Sequence, residues 1–156
     1  MAELFLEHSK LILFFHLLSV VVWIGGMIVI RFSVHYSFLK IDDAKTRLER
    51  TLENLKKFFY MVIVCIITIY VTAILMHIGL GLKANFMAIL KEIILLIMTF
   101  IFIKIFMQRY KAAKIFKKGE YVLTKKELEP IAKYLIPINI AFGLVEIYLG
   151  IALRGF

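Results

Sequence analysis

Four long apolar runs constrain this chain more than any other feature of its sequence. Two of them, residues 11–30 and 58–82, carry no charged residue at all. A helix rises about 1.5 Å per residue, so about 20 residues cross the roughly 30 Å hydrocarbon core of a bilayer. The sequence therefore predicts an all-α fold, an antiparallel four-helix integral membrane bundle in a single domain, 1–156. Its spans are expected near residues 11–36, 58–82, 86–107 and 131–153.

The composition supports lipid, and not water, as the solvent for most of the surface. Hydrophobic residues make up 62% of the chain and the mean hydropathy is +0.90, whereas soluble domains are roughly 45–50% apolar. Too few polar residues remain to cover a soluble domain of this size. The single cysteine, Cys65, excludes an intramolecular disulfide framework and a thiolate metal cluster.

The net charge of +9 comes mostly from two polar segments between the apolar runs. Residues 40–57 carry six basic and four acidic side chains, and residues 104–129 carry eight and three. By the positive-inside rule both segments face the cytoplasm of a bacterial inner membrane, which leaves both termini outside. The positive charge also suits anionic lipid headgroups. No basic platform interleaved with aromatic residues is present, so we expect no nucleic-acid partner.

Ionisable residues within the apolar runs need an explanation, because each costs about 2.5–3.5 kcal/mol on insertion scales. Counting from the outer end of each span places His16 and His77 at one depth, about 9 Å into the membrane. Lys91, Glu92 and Glu146 fall at nearly the same depth on the third and fourth spans. The sequence therefore predicts a polar layer in the outer half of the bundle, in which Lys91, Glu92 and Glu146 are the candidate catalytic residues.

Two level histidines on neighbouring helices are typical of a b-type haem site, and they are the predicted metal ligands here. With 100° per residue, His16 and Trp23 share one helix face and His77 shares another with Tyr70. We expect His16 and His77 to bind haem iron and Trp23 and Tyr70 to pack against the macrocycle. Arg31 is a candidate to bind a propionate or substrate carboxylate, and the alternative is that its side chain extends to lipid phosphate near the end of the span. Three alternatives remain open from spacing alone: a metal ion, a proton path, and a polar network that only specifies helix pairing.

The first span resembles the opening helix of the HemJ and CopD membrane superfamily. The resemblance lies in residues 14–26, where His16 is followed by six apolar residues and a tryptophan, and continues through Arg31 and His35; Lys91 is similar to a lysine of the third helix in that superfamily. Membership would imply a haem b axial ligand at His16. In the HemJ branch it would imply oxidation of protoporphyrinogen IX with electrons passed towards quinone, and in the CopD branch a role in copper handling.

The leading functional hypothesis is an inner-membrane haem b protein with a redox role, with HemJ-like protoporphyrinogen oxidase activity as the candidate enzyme function. Quinone or a porphyrin is then the expected small-molecule partner, membrane lipid surrounds the protein, and self-association is compatible with a bundle this small. The alternatives are a copper-handling or transport protein and a membrane assembly subunit without catalytic activity.

Overall fold

The structure, a computed structural model, describes residues 2–80 and 86–153. Within these residues the chain forms four long helices, which we call α1 (2–39), α2 (Ala44–Leu80), α3 (Phe86–Lys117) and α4 (121–152). Each is long and apolar enough to cross a membrane, with candidate spans of 33, 36, 32 and 32 residues. The prediction of a multi-pass membrane protein built of apolar helices is confirmed. The short turn expected at residues 81–85 lies outside the described residues.

The helices extend well beyond the predicted spans. α2 begins at Ala44, and Leu48, Leu52 and Leu55 are buried along it, as their helical spacing indicates. The second polar segment, residues 104–129, is mostly helical, because only residues 118–120 separate α3 from α4. Buried positions continue at helical spacing through that segment, so one face packs against the bundle while the charged face stays exposed; these positions are Ile105, Ala112, Thr124 and Leu128.

The short connection before α2 ends in a helix cap. Asp43 Oδ2 accepts hydrogen bonds from the Thr46 backbone N–H at 2.8 Å and from the Thr46 hydroxyl. These bonds satisfy an amide of the first helical turn that has no partner within the helix. They favour the ionised carboxylate, and the pKa of Asp43 is therefore lowered, chiefly by the Thr46 side chain.

Aromatic side chains fill the centre of the bundle. Trp23 from α1 is 1% exposed and meets Phe102 of α3 edge to face, with ring centroids 6.3 Å apart. Phe102 in turn contacts Phe59 of α2 at 5.5 Å in the same geometry. Such edge-to-face pairs add about 0.5–1.5 kcal/mol each to the burial of the rings. Three helices are thus joined through one aromatic cluster.

Two glycines make room for side chains of neighbouring helices. A Cβ at Gly26 would overlap the Phe58 ring of α2, lying 2.9 Å from its Cζ. A Cβ at Gly143 of α4 would lie 2.7 Å from Ile24 Cδ1 of α1. Glycine is common at such contacts in membrane helices, because the helix backbones can then approach within van der Waals range.

Wider π-helical turns interrupt α1 and α4. In α1 they cover Val21–Gly25 and Ile30–Val34, and in α4 Ile131–Leu135. The Ile136 N–H donates to the carbonyl of Ile131, five residues earlier, and not four as in an α-helix. The next residue, Pro137, has no N–H to donate. The change in hydrogen-bond pattern therefore falls next to a position where a regular α-helix would also lack a backbone hydrogen bond. Each wide turn rotates the following residues away from the regular 100° phase.

Candidate functional site

His16 lies in the interface between α1 and α2. Its side chain is buried at 7% exposure, and its Nδ1 lies 2.8 Å from the hydroxyl oxygen of Thr72, which is itself buried. Ser19, one turn further along α1, is buried in the same interface. The histidine therefore lies inside the bundle, and a threonine of α2 is one of its polar partners.

The hydrogen bonds of Thr72 indicate which ring nitrogen of His16 carries the proton. Thr72 Oγ1 lies 2.6 Å from the Thr68 carbonyl and 3.1 Å from the Ile69 carbonyl. A hydroxyl has one proton, and donating it to either carbonyl leaves the Thr72 oxygen as the acceptor towards His16. We therefore assign the proton of neutral His16 to Nδ1. The lone pair then resides on Nε2, which is the arrangement found in metal-ligating histidines whose other nitrogen donates to an oxygen.

His77, the predicted second ligand, is exposed on α2. It follows Thr72 by five residues, which corresponds to about 7.5 Å along the helix and about 140° around it. The bond from His16 to Thr72 thus places the level of His16 about one and a half turns away from His77. His77 as the second haem ligand stays a prediction.

Lys91 and Glu146, two of the three predicted catalytic residues, form an ion pair between α3 and α4. Lys91 Nζ lies 3.7 Å from Glu146 Oε2, and the side chains are 29% and 11% exposed. The second oxygen, Oε1, is buried and has no hydrogen-bond partner among the described residues. Because a carboxylate has four lone-pair sites to satisfy, this oxygen can still accept a proton or a hydrogen bond.

Glu92, the third of these residues, lies on the exposed side of α3. Consecutive helix residues point about 100° apart, so Lys91 and Glu92 cannot both face α4. The structure thus separates the two neighbours, which the depth count alone had grouped, and only Lys91 joins Glu146.

Trp23 and Tyr70, the predicted haem-packing residues, both contact α3. Trp23 packs against Phe102 in the aromatic cluster, and the Tyr70 hydroxyl lies 3.1 Å from the Thr99 hydroxyl. Trp23 is thereby committed to the core of the bundle. Neither contact tests a role beside a macrocycle, which stays a prediction for both residues.

Arg31 lies further along α1 than His16, towards the C-terminal end of the helix. Fifteen residues separate it from His16, or about 22 Å along α1. Its guanidinium carbon lies 5.7 Å from the ring centroids of both Phe32 and Tyr36. Its Nε and Nη1 are buried without a hydrogen-bond partner among the described residues. The role of Arg31 as a ligand for a propionate or substrate carboxylate stays a prediction.

Thr72 and Asn139 are polar residues of the interior that are not among the predicted site residues. Thr72 was not singled out, although a hydroxyl in a span is a common partner for a buried polar side chain. Asn139 is fully buried, and its Nδ2 lies 3.7 Å from Met27 Sδ, a weak hydrogen bond. A polar amide within the apolar run of residues 131–153 is the sequence feature that indicates an inward-facing position for Asn139.

His16 is not part of a cluster of typical metal-ligand side chains among the described residues. Among the side chains of residues 7–79 and 86–153 there is no group of three or more His, Cys, Asp or Glu placed to hold a metal ion, whereas zinc and copper sites usually take three or four protein ligands. Comparison of the chain with protein-family models, curated protein sequences and solved structures gave no match.

Proposed function

We propose that this chain is a haem b protein of the bacterial inner membrane with a redox role, in which His16 is the axial ligand. The observation that carries the proposal is the hydrogen bond between His16 Nδ1 and Thr72 Oγ1 in a buried interface. This bond supports a ring oriented by Thr72 with its proton on Nδ1, and in that tautomer Nε2 would be the nitrogen that binds iron. When bound, the haem would supply one-electron transfer.

The residues of this chain have separate roles in the proposal. Thr72 orients His16, and the aromatic cluster of Trp23 keeps the adjoining core rigid. Glu146 would hold or pass a proton at its buried Oε1, while Lys91 offsets its charge at Oε2. A quinone dissolved in the lipid is the proposed electron partner, and a porphyrinogen is the proposed substrate if the chain has HemJ-like activity.

We propose further that the four helices thread the membrane in alternating directions, with both termini outside. Order along the chain supports this: His16 pairs with Thr72, while Gly26, later in α1, lies against Phe58, earlier in α2. The same reversal relates the Lys91–Glu146 pair to the Lys111–Glu127 pair of α3 and α4. A reporter fused to the C-terminus should behave as periplasmic, and cytoplasmic behaviour would refute this topology.

The decisive experiment is a reduced-minus-oxidised absorption spectrum of the purified full-length protein, with haem quantified as the pyridine haemochrome. Sharp α and Soret bands are expected in the unaltered protein and in His77→Ala, and their loss is expected in His16→Ala. Full haem content in His16→Ala would overturn the ligand assignment. Bound copper without haem would favour the CopD-like alternative, and the absence of both would favour an assembly subunit.

A further inference from the structure

A cavity of about 430 Å³ opens at the end of the bundle opposite the His16 layer. It lies between the second half of α1, the start of α2 and the first half of α4. Its volume falls within the range of about 300–1,000 Å³ that is usual for small-ligand sites. The proposed haem ligand and the Lys91–Glu146 pair do not line it, so what it binds is independent of the proposed redox function.

The polar part of the lining is strongly cationic. Arg31, Arg47, Lys125 and Lys133 line the cavity, against a single carboxylate from Glu129. Four positive charges and one negative charge leave a formal excess of three. None of the four cations forms an ion pair with a carboxylate of residues 7–79 or 86–153. Positive charges that line one cavity without carboxylate partners create a positive potential there, so this site is electrostatically suited to an anion.

Of the four cations, Arg31 has guanidinium nitrogens that are buried and available to a ligand. Two of its guanidinium nitrogens are buried and lack a hydrogen-bond partner in the described part of the chain. Its neighbour Arg47 is already anchored, since Nη1 donates to the Ile41 carbonyl at 3.0 Å. A buried guanidinium with unused donors favours a bidentate oxyanion such as phosphate or carboxylate.

The rest of the lining is apolar, so a ligand with an apolar part fits the cavity better than a purely hydrophilic anion. Branched and aromatic side chains from all three helices cover the walls, including Ile30, Val34, Phe38, Leu55, Leu128 and Ile136. Next to the cavity, α1 exposes the large apolar side chains of Phe32, Tyr36 and Leu39. A ligand with an anionic head and an apolar body would use both parts of the lining.

We propose that this cavity binds the headgroup of an anionic membrane phospholipid. Its phosphate would lie among Arg31, Arg47, Lys125 and Lys133, and the glycerol and first acyl carbons would lie against the apolar wall. The remaining acyl chains would extend along the exposed surface of α1. Basic pockets between transmembrane helices are a known mode of recognition for phosphate headgroups.

The test is lipid binding to the full-length protein in detergent, measured by native mass spectrometry during titration. The probes are a short-chain phosphatidylglycerol, the phosphatidylcholine with the same acyl chains, and inorganic phosphate as a competitor. Tighter binding of phosphatidylglycerol, by at least about tenfold, is expected from the charge of the lining. Equal affinity for the two lipids would overturn the proposal, as would full displacement of phosphatidylglycerol by inorganic phosphate, which would indicate a soluble anion site.

Two matched double variants locate the binding. Lys125→Gln with Lys133→Gln removes two exposed cations of the cavity, and Lys117→Gln with Lys118→Gln removes two exposed cations outside it. The first should weaken phosphatidylglycerol binding about 25-fold, since each cation contributes roughly fivefold, and the second less than about threefold. Equal losses in both variants would show attraction to net charge alone and would refute the cavity site.

Arg31→Lys and Arg31→Gln complete the series. Arg31→Gln should weaken binding of phosphatidylglycerol at least tenfold, with partial recovery in Arg31→Lys, which keeps the charge but loses the planar fork. Unchanged binding in Arg31→Gln would remove this residue from the site. Should Arg31→Gln fail to fold, the paired lysine variants still decide the proposal, because their side chains are exposed.

Discussion

Nδ1 of His16 lies 2.8 Å from Oγ1 of Thr72, so the histidine of α1 is held by a side chain of α2. Because the Thr72 hydroxyl proton is directed to a backbone carbonyl of its own helix, the threonine orients the ring as an acceptor. This bond links helix packing to the chemistry proposed for the site. Altering Thr72 should therefore affect the cofactor without removing its ligand.

Thr72→Val should lower haem affinity by about 10- to 100-fold, the usual cost of losing a partner that orients a ligating histidine. Valine has nearly the shape of threonine, so the packing of α1 against α2 should persist. Thr72→Ser keeps the hydroxyl and should restore most of the affinity. Haem retention measured by pyridine haemochrome checks this; equal retention in the Val and Ser variants would show that the bond has no orienting role.

Gly26→Ala should destabilise the protein by about 1–3 kcal/mol, the typical cost of overpacking a close contact. The new methyl group would collide with the Phe58 ring. The adjacent Gly25 is the matched control, since a Cβ there meets nothing within 4 Å. Gly25→Ala should be neutral or stabilising by up to about 1 kcal/mol, because alanine is the better helix former.

Thermal unfolding in detergent measures both glycine variants through tryptophan fluorescence. Trp23 is the single tryptophan of the chain and lies in the core, so its emission reports the packed bundle. A Gly26→Ala variant as stable as Gly25→Ala would contradict the close α1–α2 contact.

The Lys91–Glu146 pair should show strong coupling in a double-mutant cycle. Lys91→Met removes the positive charge that faces the carboxylate of Glu146, and Glu146→Gln removes the negative charge that faces Lys91. Each single variant should cost up to about 3 kcal/mol, below the value for a fully buried pair because Lys91 is 29% exposed. The double variant should be markedly more stable than the sum of the single losses predicts. Additive losses, measured by chemical unfolding in detergent, would show that the two residues do not interact.

The start of α2 should fray as the pH falls. The pKa of Asp43 is lowered by its hydrogen bonds with Thr46, so the cap is fully formed above the unfolded-state pKa of about 3.9 and is lost as the pH falls through the lower folded-state value. Asp43→Asn preserves the cap without the titration, because asparagine is an equally good capping residue. Hydrogen–deuterium exchange over residues 44–47 should accelerate in acid in the unaltered protein relative to Asp43→Asn. Identical acid dependence in both proteins would argue against the cap.

The depth of each polar residue was partly predictable, but its partner was not. The predicted depths of His16 and His77 were counted from Lys10 and Lys83, taken as the outer ends of the first two spans. This count assumes that both lysines mark one membrane surface, whereas α1 already begins at residue 2. Small errors in helix start and tilt shift the register by a turn or more, which is enough to put Thr72, and not His77, beside His16. The pairing of Lys91 with Glu146 needed only a coarse match in depth, and the structure brings these two together.

The sequence by itself determined that the chain forms long apolar helices suited to a membrane, because helix length and hydropathy follow from composition along one dimension. It also indicated the extension of α2 through the spacing of its buried leucines. Only the tertiary structure decided which faces meet, because the rotation of each helix about its axis depends on π-helical turns and on close glycine contacts. The cationic cavity belongs to this second class, since its charges come from three helices that are far apart in the chain and adjacent only after packing.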